Sequence, residues 1–249
     1  MIRLKVITGL ITGWLAFALA PTAQAGIIVP SDLKPGDKYQ LIFVTSFLSG
    51  VSSANAVPPP DYPDFGGLAA ADWVVTSAAS DAGLIDNWDG ETLLWKALLS
   101  IAGQNAVDRI PITGPVYNLA GQRLANNSAD LWDGSLAAPV RYTEYGIAIS
   151  GNTHVWTGTN TAGNANGLDL GGWLNPGAPV GLVGDATFAD SRWLGNSNLA
   201  GTQTAHLYAI SPEFEVPDVA PEPASLVLLG IGVMGMVAYH RRGRKLPRT

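Results

Sequence analysis

Few residues in this chain carry the chemistry that catalysis needs. There are three histidines, His154, His206 and His240, and no cysteine. No G-x-S-x-G, H-E-x-x-H or P-loop motif occurs. Without cysteine, thiol chemistry, iron–sulfur clusters and cysteine-held zinc are excluded. His154 and His206 sit near the start of strand-like runs, HVWTG and AHLYAI. There an isolated histidine more often packs or hydrogen-bonds than catalyses. The acidic loops carry more. Asp130, Asp133 and Glu144 lie in and around ADLWDGSLAAPVRYTE, and Asp185 and Asp190 flank DATFADSRW. Calcium takes several oxygen ligands. Their spacing fits no EF-hand loop, however, and Asp133-Gly134 fits a tight turn made by aspartate bonding its own backbone. The expectation is no catalytic residue and no dedicated metal site, with calcium the one cofactor left open.

The aromatic residues are the other resource. Seven of the eight tryptophans fall between Trp73 and Trp193. Trp132, Trp156 and Trp173 stand among Asn, Asp and Gly. Together with Asp133 they form the candidate ligand surface. Two readings stand for these rings: packing anchors for a loop-rich core, or platforms that stack on sugars. Charge narrows the partners. Residues 26–212 hold sixteen acidic and seven basic side chains, a balance of −9, and five of the fourteen basic residues lie in the last nine positions. An acidic body is unsuited to nucleic-acid phosphates and favours cations or neutral polymers.

The elements that must position these residues can be read along the chain. Arg3 and Lys5, the apolar run Val6–Ala20 and the Ala23-Gln24-Ala25 cleavage pattern make residues 1–25 a secretory signal peptide. A domain is expected over 26–211. Pro35-Gly36-Asp37 marks a turn, and Tyr39–Ser46 is a β-rich run of the buried-strand kind. Leu68–Leu84 reads as a helix, with Leu68, Ala71, Val75, Ala78, Ala79 and Ala82 on one face and Gly83 as its stop. Trp95–Ser100, Val116–Leu119, His154–Gly158 and Ala205–Ile210 are short strand candidates. One long helix followed by loop-rich β-structure predicts an α+β domain. Residues 212–220 are acidic and proline-containing and read as a linker. Residues 224–239 are uncharged and mostly apolar, and Arg241, Arg242, Arg244 and Lys245 follow. This reads as a single membrane helix with its basic end cytoplasmic and the domain outside.

Two resemblances add to this reading. The blocks FGGLAAADWVVTSAASDAGL, WKALLS, VYNLAGQRLANNSADLWDGSLAAPVRYTEYG, VWTGTN, ADSRWLGNSN and HLYAIS occur in an order that resembles a bacterial domain family of exported and surface proteins. That family has the C-type-lectin-like fold, close to its endostatin-like branch, and the resemblance spans about residues 39–210. The cysteines of many relatives are missing here. So are the Glu-Pro-Asn or Gln-Pro-Asp and Trp-Asn-Asp motifs of calcium-dependent sugar binding, and WLNPG is no equivalent. The second resemblance is at the C-terminus. Pro221-Glu222-Pro223, the apolar run and the basic cluster, residues 221–245, resemble the PEP-CTERM sorting signal. It implies an exosortase as partner, processing near the triplet, and passage through the inner membrane of a Gram-negative bacterium to the envelope, surface or matrix. Extracellular polysaccharide is a further implied partner.

The expectation is a non-enzymatic surface or biofilm-matrix protein with a lectin-like binding domain. Two alternatives stay open: a secreted enzyme with an unrecognised carboxylate or metal site, and a permanently membrane-anchored structural protein. The lectin-like reading makes one structural demand. Tyr39–Ser46 and Ala205–Ile210 must pair, bringing the ends of the domain together, and a structure with these strands far apart would reject it.

Overall fold

The computed structural model describes residues 27–50, 68–85, 92, 94–166, 180–200 and 203–218. In chain order the first elements are β1 (Lys38–Val44), β2 (Ser49–Gly50), α1 (Leu68–Asp81), β3 (Lys96–Ala97), α2 (Ala106–Arg109), β4 (Val116–Asn118), β5 (Arg123–Ala125) and α3 (Ser128–Leu131). Then come β6 (His154–Trp156), β7 (Gly181–Asp185), β8 (Ser197–Leu199), β9 (Thr204–Ile210) and β10 (Phe214–Glu215).

After its first residue every position of β1 is buried, and the same holds for β9. Strands covered on both faces read as continuous apolar runs, and KYQLIFV and TAHLYAI come close to that. The two pair antiparallel, Ile42 with Ile210, Phe43 with Ala209 and Val44 with Tyr208. The first and last long strands therefore lie side by side, although pairing on β1 stops at Val44, short of Ser46. The mixed sheet runs β5-β4-β1-β9-β6-β7-β8, with β4 parallel to β1 and β6 parallel to β9. The molecule is thus mostly β-structure with a few helices.

The alternation of β1 and β9 divides the core in two. Tyr39, Leu41, Phe43, Leu207 and Ala209 face α1 and meet Leu68, Ala71, Val75, Ala78 and Ala79. The alanines let the helix sit close to the sheet. Leu84 N–H reaches the Ala79 carbonyl at 2.8 Å and Gly83 N–H the Ser80 carbonyl at 2.9 Å, with Gly83 at φ +75°. This is a glycine-terminated helix end with the buried Leu84 behind it, so the helix closes at Asp81, three residues before the expected Leu84. On the other face Ile42, Val44, Tyr208 and Ile210 are covered by loops and single helical turns, through residues such as Leu131, Trp132, Val140 and Trp193. Trp132 stacks on Trp193 at 6.4 Å, and Trp193 contacts Tyr208 at 5.7 Å.

The stretch 212–220, expected as a linker, is part of the domain as far as the structure describes it. Phe214 and Glu215 pair with Tyr39 and Lys38, and Val216 and its neighbours bond to the backbone of Gly36 and Asp37 at 2.8–2.9 Å. The reason is apolar: the Phe214 ring lies 5.7 Å from Tyr39 and 6.4 Å from Trp95, and Val216 is buried. The signal peptide with Ala23 and Ala25, the triplet Pro221, Glu222 and Pro223, the apolar run 224–239 and the basic residues Arg241, Arg242, Arg244 and Lys245 lie outside the described residues. Among the described residues no helix is long and apolar enough to cross a membrane.

One buried carboxylate ties the helix to the chain beyond it. Asp72 accepts from Ala97 N–H at 2.8 Å, from the Arg109 guanidinium at 2.8 and 2.9 Å, and from Lys96 at 3.3 Å. Arg109 also donates to the Ala97 carbonyl. One turn on, Thr76 exchanges hydrogen bonds with the Trp95 backbone at 3.1 and 3.2 Å. Removing one partner of a buried ion pair costs about 3–5 kcal/mol, because the other charge is left uncompensated. Asp72→Ala should therefore lower unfolding free energy by that order in a denaturant titration, and Asp72→Ala with Arg109→Met should recover part of the loss. A single variant within about 1 kcal/mol of the parent contradicts this role.

Candidate functional site

The expected ligand surface does not assemble. Trp132 is 8% exposed and Trp156 is 1% exposed, so neither offers a ring face to solvent. They also lie in different cores, Trp156 on the helix side of the sheet and Trp132 on the loop side. Trp156 donates its indole N–H to the Ser49 carbonyl at 3.0 Å. Both are packing anchors; Trp132 is needed because loops, which bury little apolar surface per residue, make up much of its layer. Asp133 is exposed and accepts from Ser135 N–H at 2.8 Å and its hydroxyl at 2.9 Å. This is a turn made by its own side chain. Trp173 lies outside the described residues.

The other acidic loop residues also serve local backbone. Asp130 accepts from Asn126 N–H at 2.6 Å, and Asp185 from Thr187 N–H at 2.9 Å. Asp190 caps the 3₁₀ turn Ser191–Trp193 and pairs with Arg192, whose guanidinium holds its carboxyl down at about 2. Among the described residues no three His, Asp or Glu side chains stand close enough to hold a metal ion.

A different site forms where β1 ends. The segment Tyr142–Ala148 is a tight hairpin, closed by the Tyr142–Ala148 bridge and by Thr143 N–H to the Ile147 carbonyl at 2.8 Å. Gly146 N–H bonds the Thr143 carbonyl at 2.8 Å with φ +71°, the left-handed residue that a three-residue hairpin connection requires. Glu144 is driven inward to 1% exposure, while Tyr145 is 50% and Ile147 66% exposed. The hairpin docks on the strand end through Val44 N–H to the Tyr142 carbonyl at 3.0 Å. Just before it, Arg141 has φ +25°, the one positive φ outside glycine among the described residues. Its backbone is pinned on both sides, N–H to Ala186 at 3.0 Å and carbonyl from Ile149 N–H at 2.9 Å. Strain of this kind persists only where the surroundings over-determine it.

Two buried polar side chains then hold the chain as it leaves β1. The Glu144 carboxylate accepts Ser46 N–H at 2.8 Å and the Ser46 hydroxyl at 2.5 Å. His206, near the start of β9, sets Nδ1 against the Thr45 and Phe47 carbonyls at 2.6 and 3.1 Å and Nε2 against the Asn152 carbonyl at 2.9 Å. Burial pushes the Glu144 carboxyl above its ordinary value, against the opposing pull of the Ser46 bonds, its own backbone and the His206 charge. Over this base lies a cleft of about 260 Å³, lined by the polar residues Ser46, Thr143, Ser150 and His206 and by Tyr145, Ile147, Ala148 and Ile149.

Serine, histidine and a carboxylate are the side chains of nucleophilic hydrolysis, but that chemistry needs the hydroxyl bonded to the base and the base to an orienting group. Here Ser46 donates directly to Glu144, and His206 faces backbone carbonyls with both nitrogens. The arrangement braces two loops and presents Tyr145. Of its parts the sequence singled out His206, in the hydrogen-bonding role it has here, and Glu144, as one of the acidic loop residues. The signal for the rest was Thr143-Glu144-Tyr145-Gly146, a turn whose only apolar member is a large aromatic with no neighbouring strand pattern to bury it.

Residues 219–242 match the PEP-CTERM protein-sorting motif. A search of curated proteins finds no match. The motif implies exosortase processing and export to the cell envelope or surface of a Gram-negative bacterium. It begins at the residue after Asp218, where the described domain ends.

The raised Glu144 carboxyl gives a pH test. A group whose folded value is raised contributes its stability fully below the unfolded value, here the ordinary 4.5, and loses it as pH climbs through the folded value. Glu144→Gln keeps an acceptor for Ser46 N–H and carries no charge. Its stability relative to the parent should therefore improve between about pH 4 and about pH 7, read from denaturant midpoints. A gap that stays constant or moves the other way contradicts the assignment.

Proposed function

We propose that this protein is a non-enzymatic surface or extracellular-matrix protein, delivered by an exosortase and displaying a C-type-lectin-like binding domain to extracellular polysaccharide. The observation that carries the reading is the sorting motif over 219–242, which follows closely on Phe214–Val216, still paired with the start of the first strand. The sorting part follows from physical logic. A triplet at the outer end of an apolar run is parked where a membrane enzyme reaches it, and the basic cluster behind it sets the orientation. The antiparallel pairing of the first and last long strands, the one long helix among the described residues on one sheet face and the loop-rich layer on the other support the lectin-like part. The balance of −9 over residues 26–212 supports a neutral partner over a polyanion. The brace of Ser46, Glu144 and His206, wired for holding loops rather than for proton relay, supports a binding role.

The test is maturation in the native host. The parent chain should reach the envelope or medium with an intact mass lacking the residues beyond the triplet. Glu222→Ala should accumulate with its tail attached, and deletion of the exosortase should reproduce that phenotype. Normal processing of Glu222→Ala would count against the sorting reading, and an uncleaved tail on the exported parent would favour a permanently anchored protein.

A further inference from the structure

The geometry points to the cleft between the end of β1 and the Tyr142–Ala148 hairpin as a binding site for one ring of a neutral polysaccharide, stacked on Tyr145. This rests on the lectin-like reading for its ligand class, while the location follows from the residues themselves. Seven large apolar side chains are exposed among the described residues, and four of them, Phe47, Leu48, Tyr145 and Ile147, sit on the two segments that meet at this cleft. Apolar exposure gathered in one place marks an interaction site more often than scattered exposure does. Nothing in the turn itself requires an aromatic at Tyr145. The turn needs Gly146 for its φ and uses Glu144 as its anchor, and Tyr145 is the side chain this construction leaves outward.

The polar side selects among ligands. Ser46, Thr143 and Ser150 offer hydroxyls and His206 an imidazole edge, and neither a carboxylate nor a guanidinium lines the cleft. An anion would find no guanidinium fork, and it would meet the buried Glu144 behind Ser46. A cation would find no carboxylate at the surface. A sugar ring has what the walls ask for: an apolar face for Tyr145 and Ile147, and hydroxyls along its edge for the serines and threonine. At about 260 Å³ the cleft falls below the volume that encloses a drug-sized ligand. It takes one ring of a chain whose remainder leaves through the open side. The base is also pre-organised. Glu144 and His206 hold the two walls through five hydrogen bonds of 2.5–3.1 Å, so binding need not order them.

Affinity electrophoresis of the full exported chain through gels containing dextran, hydroxyethylcellulose, galactomannan or alginate tests the site. Retardation by at least one of the three neutral polymers and none by the polyanionic alginate is expected. Tyr145→Ala should weaken that retardation about tenfold, and Tyr145→Phe should keep it, since stacking uses the ring and not the hydroxyl. Both variants should melt with the parent because the side chain is exposed; Ile147→Ser, at the same rim, supplies a second reading should Tyr145→Ala melt early. Retardation that neither Tyr145→Ala nor Ile147→Ser reduces overturns this site while leaving a glycan-binding domain standing. Retardation by alginate alone, or by none of the four, overturns the site and the lectin-like ligand reading together. Neither result touches the sorting motif, which the mass of the mature chain tests separately.

Discussion

The pairing of β1 with β9 is the constraint on which the rest of the molecule depends. Both strands are apolar on both faces, so each face must be covered, and a chain without cysteine has only packing to do it. One face is covered conventionally, by a helix whose alanines allow close approach. The other is covered by loops, and loops bring few apolar side chains per residue. Trp132 and Trp193 make up the difference, which is why Trp132 is found inside as the packing anchor that was one of its two readings.

A loop-rich layer creates a second problem, the backbone groups that no ladder satisfies. Buried polar side chains answer it in two places by the same means. Asp72 and Thr76 reach from α1 to the backbone of Trp95 and Ala97, while Glu144 and His206 reach to Thr45, Ser46, Phe47 and Asn152. These residues have the types found in active sites, yet each of them holds main-chain atoms, with the Arg109 and Lys96 side chains added at Asp72 and the Ser46 hydroxyl at Glu144. The cleft is a product of this bracing: holding the hairpin's inner residue leaves its outer residues, Tyr145 and Ile147, against solvent.

What the sequence made legible was whatever a local pattern encodes. The apolar runs at Tyr39 and Ala205, the helical face from Leu68 to Ala82 and the stop at Gly83 each rest on spacing alone, and the structure contains them. The three-feature sorting signal is legible for the same reason. The misses are non-local. Nothing near Trp132 or Trp156 records whether a sheet covers it. Asp72 lies on the face with Leu68, Ala71 and Val75, but its partner Arg109 is far along the chain. Residues 212–218 look like linker by composition, and only the rings of Tyr39 and Trp95 give Phe214 a place to pack. The two-residue strand β2 carries no periodicity and forms where Ser49 and Gly50 meet β9, while β3 occupies two residues of the expected Trp95–Ser100.

The position of β10 has a consequence for how the domain meets its surroundings. It pairs with the first two residues of β1, so the chain leaves the fold beside Lys38, whereas the cleft opens beyond Val44. Strand rise sets these two places roughly 25 Å apart, on opposite poles of the sheet. Any tether made through residues after Asp218 holds the molecule by one pole and turns the other outward. The length of the sheet separates the last described residues from the cleft.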